Sequence, residues 1–156
     1  MNASAVRPGI EALALLVVVG LFGSELAIAA FVHPALTRLD DATHTRAAQA
    51  LARTLGAAMP FWYALALILA LLSAWLVQPP ESAARGLAFC AAGLLAASIA
   101  FSLLGPVRIN NRVIGWRLDA LPPDWREQRR RWDRMHEVRV VMLATAALLL
   151  SFASAS

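Results

Sequence analysis

The sequence predicts an all-α integral membrane protein: a four-helix bundle with a long polar connection between its third and fourth helices. Three observations carry this reading. The chain has 156 residues, of which 60% are hydrophobic, and a mean hydropathy of +0.62, well above the apolar share of an ordinary soluble domain. Its apolar residues gather into four windows, roughly 10–32, 57–77, 86–104 and 138–153. A hydrocarbon core of about 30 Å takes about 20 helical residues, so the first three windows fit directly. The fourth fits by tilting or by letting its arginines snorkel. Finally, the one long polar segment is the block 106–137, which holds eight of the fourteen arginines. One transmembrane domain, 1–156, accounts for the length.

The first window follows Arg7 and contains Ala27-Ile28-Ala29, a small-residue pattern of the kind that ends a signal peptide. The apolar run nevertheless resumes after Glu25 and continues to Val32, so the segment reads as a retained span. Pro34 removes an amide donor and disfavours helix in the residue before it, which predicts that the first helix stops at His33. Residues 40–55 place Ala47, Ala50, Leu51 and Leu55 opposite Arg46, Gln49 and Arg53. This is an amphipathic helix, either lying at the interface or extending the second span. Phe61-Trp62-Tyr63 and Trp75 bracket that span as aromatic belts, and Pro79-Pro80 makes a stiff turn. The third window holds Gly86, Gly93, Ala97 and Ser98. Such small residues allow close helix approach, placing this helix at the bundle centre and favouring association, including with a second copy. Asp124, with Glu127 three residues on, predicts a helix start near Trp125 that runs unbroken into the fourth span.

All fourteen basic residues are arginines, and the net charge is +4. Four spans put the N-terminus, the 78–85 turn and the C-terminus on one side, with Arg7 and Arg85. Connections 34–56 and 106–137 lie on the other, with the remaining twelve arginines. The positive-inside rule then makes the protein a multi-pass cell-membrane protein with cytoplasmic connections and outside termini. Asp119, Asp124, Glu127, Asp133 and Glu137 interrupt the basic residues. Topology and anionic headgroups therefore explain the charge better than nucleic acid. The lone Cys90 forms no intrachain disulfide and reads as a small buried hydrophobe.

Glu25 lies inside an apolar span, where an ionisable group is costly and is by default a functional candidate. The alternative is a packing role, paired with an arginine. Ala29 and His33 follow on nearly the same face. On the predicted fourth helix, Trp125, Trp132, His136, Arg139 and Leu143 are spaced by 7, 4, 3 and 4 residues and form one stripe. Arg126, Arg130 and Arg134 fall elsewhere. The stripe is either the inward wall of a site or a Trp/Arg interface anchor. His33, His136 and Glu25 together would make a two-histidine, one-carboxylate metal set suited to Zn, Cu or Fe; otherwise the protein works without a cofactor. His44 reads as solvated. Asn110 and Asn111 either bind a substrate carbonyl or hydroxyl, or cap a helix.

The order Ile109-Asn110-Asn111-Arg112, then Trp116, then Pro122-Pro123-Asp124-Trp125, then Trp132, His136 and Arg139 resembles the anthrone oxygenase-like family of small four-helix membrane proteins. The resemblance implies an oxidoreductase that oxygenates a lipophilic, electron-rich aromatic of the anthrone or quinol type. On this reading His136, Arg139 and Glu25 are catalytic, while Asn110, Asn111 and Trp132 contact substrate. His136 would be the base, Arg139 and Asn110 would stabilise negative charge, and Trp132 would stack on the ring. Two other classes compete: an accessory or assembly subunit of a membrane complex, and a proton-coupled carrier built on Glu25. Four spans without an internal repeat count against the carrier.

Overall fold

The computed structural model describes residues 3–77, 79 and 82–155. Gln78, Pro80 and Glu81, and with them the Pro79-Pro80 turn, lie outside the description. Helix α1 (Ala3–Ala27) continues through a π-turn (Ile28–Val32) into α2 (His33–Leu36), and α3 runs over Asp41–Leu76. Helix α4 (Ala83–Leu104) passes at Gly105 into α5 (Pro106–Ile114), and α6 spans Trp125–Ala155. These elements form four rods, each long and apolar enough to cross a membrane: 6–36, 41–76, 83–114 and 125–155. The protein is an all-α, integral membrane four-helix bundle.

The upper core is built from small side chains. Ala66, Ala70 and Ala74 of α3, Ala88, Ala91 and Ala92 of α4, and Ala146 of α6 pack around Val18, Leu21, Leu95, Leu143 and Leu150. Alanine at these contacts lets the backbones approach closely. A second, smaller cluster of Ala48, Ile109, Val113 and Trp132 lies beyond it. Cys90 is exposed on the outer surface rather than buried.

Two expectations are corrected. The connection between the third and fourth rods is not a long polar stretch. Residues 106–114 extend the third rod, residues from Trp125 onward belong to the fourth, and only 115–124 link them. The polarity of the block reflects the outer faces of two helices, not a loop. Likewise Pro34 does not stop the first helix. The π-turn precedes it, with the His33 amide donating to the Ile28 carbonyl. The wider turn accommodates a ring that lacks an N–H and would crowd the preceding turn. The chain then continues helically to Leu36.

Residues 40–55 extend the second span rather than lying flat. Asp40 starts α3, its carboxylate accepting from the Ala42 and Thr43 amides at 3.1 and 3.0 Å; the Thr43 backbone bond holds that carboxyl below its usual range. Gln49 fastens α3 to the end of α5. Its side-chain amide donates to the Val113 and Trp116 carbonyls at 3.0 and 2.9 Å, adding to the Trp116 amide that the Val113 carbonyl already accepts and giving the Trp116 carbonyl a partner just past the helix end. Gln49→Ala is expected to lower stability by about 1–2 kcal/mol, read from reversible unfolding in detergent. An unchanged midpoint would show that water serves those carbonyls equally well.

Candidate active site

The first and fourth rods, of 31 residues each, are roughly 46 Å long and overhang a hydrocarbon core of about 30 Å by about 16 Å. Polar residues lie almost entirely at one end of the bundle, so the overhang falls there. Glu25 precedes the end of the first rod by eleven residues and His136 follows the start of the last by eleven. Both therefore sit about 16 Å from that end, near the boundary between hydrocarbon and headgroups. They form a polar layer between the two apolar clusters.

Glu25 is 1% exposed and His136 is 0% exposed. Burial of such groups requires partners, and four helices supply them. Arg139 Nη2 donates to Glu25 Oε2 at 2.6 Å, and Arg139 Nη1 donates to Ser102 Oγ at 3.2 Å. Tyr63 Oη donates to Glu25 Oε1 at 3.2 Å. His136 Nε2 meets the Glu25 backbone carbonyl at 3.0 Å. Its Nδ1 lies 2.8 Å from Arg139 Nη2 and 3.1 Å from Glu25 Oε2.

This geometry selects a tautomer. A carbonyl only accepts, so Nε2 carries the hydrogen, and Nδ1 is left as an acceptor facing Arg139. Should Nδ1 take a proton, the Glu25 carboxylate is within 3.1 Å to hold the imidazolium. One residue thus orients the ring through its backbone and stands ready to compensate its charge through its side chain.

The inward stripe of α6 is present: Trp132, His136 and Leu143 are buried, while Arg126, Arg130 and Arg134 are exposed. The Trp132 and His136 rings stack 4.8 Å apart, 13° from parallel. His33 meets both rings edge-on, at 4.8 Å from Trp132 and 5.1 Å from His136, and its Nδ1 is 3.4 Å from Asp133. The π-turn explains why His33 reaches this position. Eight α-helical residues at about 100° each would leave it about 80° from Glu25; absorbing one residue in the wider turn cuts the offset to about 20°.

His33, Glu25 and His136 therefore converge, but not as a metal set. Among the described residues, no group of three or more His, Cys, Asp or Glu is arranged to hold a metal ion. The Arg139 guanidinium stands against the Glu25 carboxylate and His136 Nδ1, where a cation held by those two groups would sit. The residues present do not fit the expected ligand set.

A cavity of about 580 Å³ opens beside this network. Its polar lining includes Glu25, Tyr63, His136 and Arg139 of the network, together with Asn110, Asn111 and Arg129. Most of its wall is apolar and comes from the facing sides of α3 and α4. Ile68 and Leu103, 54% and 59% exposed, also line it, so the cavity reaches the lipid-facing surface. Asn110 and Asn111 border the cavity without joining the Glu25 network; neither caps a helix.

Several neighbours of this network were not apparent from the sequence. Tyr63 reads there as a belt residue but is buried and bonded to Glu25; its spacing of three and seven residues from Ala66 and Ala70 was the available sign that it faces the bundle. Ser102 lies one helical turn after Ser98 in the same way. Arg129, 7% exposed, lies over the Trp132 ring at 4.9 Å, one turn after Trp125 and within the span of the stripe recognised in sequence. His44 is not solvated: it is buried, with Nδ1 2.9 Å from the Leu36 carbonyl and its ring 5.3 Å from Trp125.

The family model described as Anthrone oxygenase matches residues 49–149, an interval that contains Tyr63, Ser102, Asn110, Trp132, His136 and Arg139. No curated protein and no solved structure matches the chain. A match over more than half of the sequence, on a bundle whose buried polar layer borders an apolar cavity, shows that the chain belongs to the anthrone oxygenase family.

Proposed function

We propose that the protein is a membrane-embedded oxygenase that takes a lipophilic aromatic, anthrone- or quinol-like, from the bilayer into the cavity between α3 and α4. The observation that carries this reading is the Glu25–Arg139–His136 network bordering an apolar cavity that reaches the lipid-facing surface. An apolar pocket with a few convergent polar groups is the usual form of a small-molecule site.

For an anthrone-type substrate the net change converts a ring CH₂ to C=O; one atom of O₂ is incorporated and the other leaves as water with the two hydrogens. The protein's part is the first proton transfer and the stabilisation of the resulting anion. Arg139 turns from the imidazole toward the substrate oxygen, where its charge compensates the developing oxyanion. That movement frees His136 Nδ1 to accept the proton, and Glu25 holds the imidazolium that forms. Asn110 supplies a further donor to the substrate oxygen, Asn111 lines the same wall, and the Trp132 face packs against the ring.

Purified protein in lipid nanodiscs is expected to convert anthrone to anthraquinone, with label from ¹⁸O₂ in the product. Oxygen uptake equal to the protein-free background would overturn the assignment and favour an accessory role in a membrane complex. The polar end of the bundle, formed by segments 34–56 and 106–137, faces the cytoplasm on this reading, so a reporter fused after Ser156 should be active only outside. A cytoplasmic signal would reverse the topology.

A further inference from the structure

We propose that the seam between α4–α5 and α6 binds the phosphate of an anionic phospholipid through Arg108, Arg112 and Arg131. This site is separate from the cavity described above. The two lie on different faces of α5: Asn110 and Asn111 line the cavity, whereas Arg108 and Arg112 line a second recess of about 140 Å³.

Charge is the first argument. Arg7, Arg117, Arg126, Arg129, Arg130, Arg134 and Arg139 each meet a carboxylate. Arg38, Arg46, Arg53, Arg85, Arg108, Arg112 and Arg131 do not; of these, Arg108, Arg112 and Arg131 are exposed, have no other polar or aromatic partner among the described residues, and alone border one common recess. The nearby acids are committed elsewhere: Glu127 to Arg130 and Arg134, and Asp133 to His33 and Arg129. Glu137 is exposed and pairs with none of the three. Three guanidinium groups bordering one recess repel one another unless an anion joins them. Their planar donor forks match phosphate oxygens.

Shape and position make the anion a lipid. Gly105 and Met135 close the inner end of the recess; with no Cβ at residue 105, the Met135 side chain packs directly against its backbone. Leu104, Arg108 and Arg112 follow one another at four-residue spacing on one side of the seam. Arg131, Met135 and Val138 follow on the other, at spacings of four and three. Both edges therefore run from cationic to apolar in the same direction. Leu104 and Val138, 66% and 51% exposed, continue the seam onto the lipid-facing surface. A phosphate among the arginines would leave its acyl chains along that apolar track. Basic pockets between transmembrane helices hold acidic headgroups in this manner.

The test compares wild type with Arg108→Gln/Arg112→Gln/Arg131→Gln in phosphatidylcholine nanodiscs, with and without phosphatidylglycerol. Phosphatidylglycerol should raise the wild-type unfolding midpoint by several degrees, because a ligand that binds the folded state stabilises it. The triple variant should lose at least half of that shift. Arg130→Gln/Arg134→Gln, which removes two exposed arginines already paired with Glu127, should keep it. Equal shifts in wild type and triple variant would overturn the proposal. So would an equal shift from inorganic phosphate in phosphatidylcholine discs, which would assign the recess to free phosphate. Should the triple variant fail to fold, native mass spectrometry of the wild type decides the matter. Retention of phosphatidylglycerol over phosphatidylcholine supports the site, and equal retention overturns it.

Discussion

Glu25→Gln should destabilise the protein by about 3–5 kcal/mol, the range for removing one partner of a buried ion pair. The substitution preserves shape and removes the charge, so Arg139 remains almost fully buried without its carboxylate. Ser102 and His136 still contact the guanidinium, but neither is anionic. The cost therefore arises from the unpaired arginine, not from lost packing. The double variant Glu25→Gln/Arg139→Met tests this origin. It removes both charges, so it should recover most of the lost stability, since apolar replacement of a whole buried pair is often neutral or better. Its turnover should stay at background, because neither the charge on the substrate oxygen nor that on the imidazole is compensated. Unfolding in detergent and product formation measure the two effects separately. A double variant no more stable than Glu25→Gln would place the cost elsewhere. A double variant that turns over substrate would make the pair a packing device.

His136→Gln should reduce turnover by about 10²–10⁴-fold, the contribution of a positioned acid–base group, with a much smaller loss of stability. Glutamine can still donate to the Glu25 carbonyl, so the helix contact survives while the basic nitrogen is lost. A split between rate and stability is the signature sought: a residue that only braced the bundle would lose both together. The part of the emission lost on Trp132→Phe, one of five tryptophans, supplies a structural control, because that indole stacks on the imidazole at 4.8 Å and should report the change in neighbour. Turnover within a factor of two of wild type, with Trp132 emission shifted, would remove His136 from the proton transfer.

These two residues differ in how far the sequence reveals them. His136 is legible because it lies within one uninterrupted helix, where spacing alone gives its direction: Trp132, His136, Arg139 and Leu143 share a face at any position in a membrane. Glu25 is legible as an anomaly, an acid in an apolar run, but its partner is not. Arg139 is 114 residues away, and no periodicity links two helices. Tyr63 and Ser102 were missed for the same reason. Each is an ordinary residue for its helix and acquires a role only from the neighbour across the bundle.

The fold class, the four spans and the inward stripe of α6 follow from local rules, because hydrophobic length and the 3.6-residue repeat act within single helices. What only the tertiary structure decided was the pairing of Glu25 with Arg139, the displacement of the expected metal set by that guanidinium, and the turn of His33 toward Trp132 and His136. The last shows the limit clearly. Pro34 announces a break, but whether the helix ends or widens there depends on what the extra rotation gains, and the gain is a ring contact with a helix one hundred residues on. Helix formation is settled by each segment's own sequence; which polar groups meet is settled by burial, which forces every charge in the core to find a partner wherever the chain supplies one.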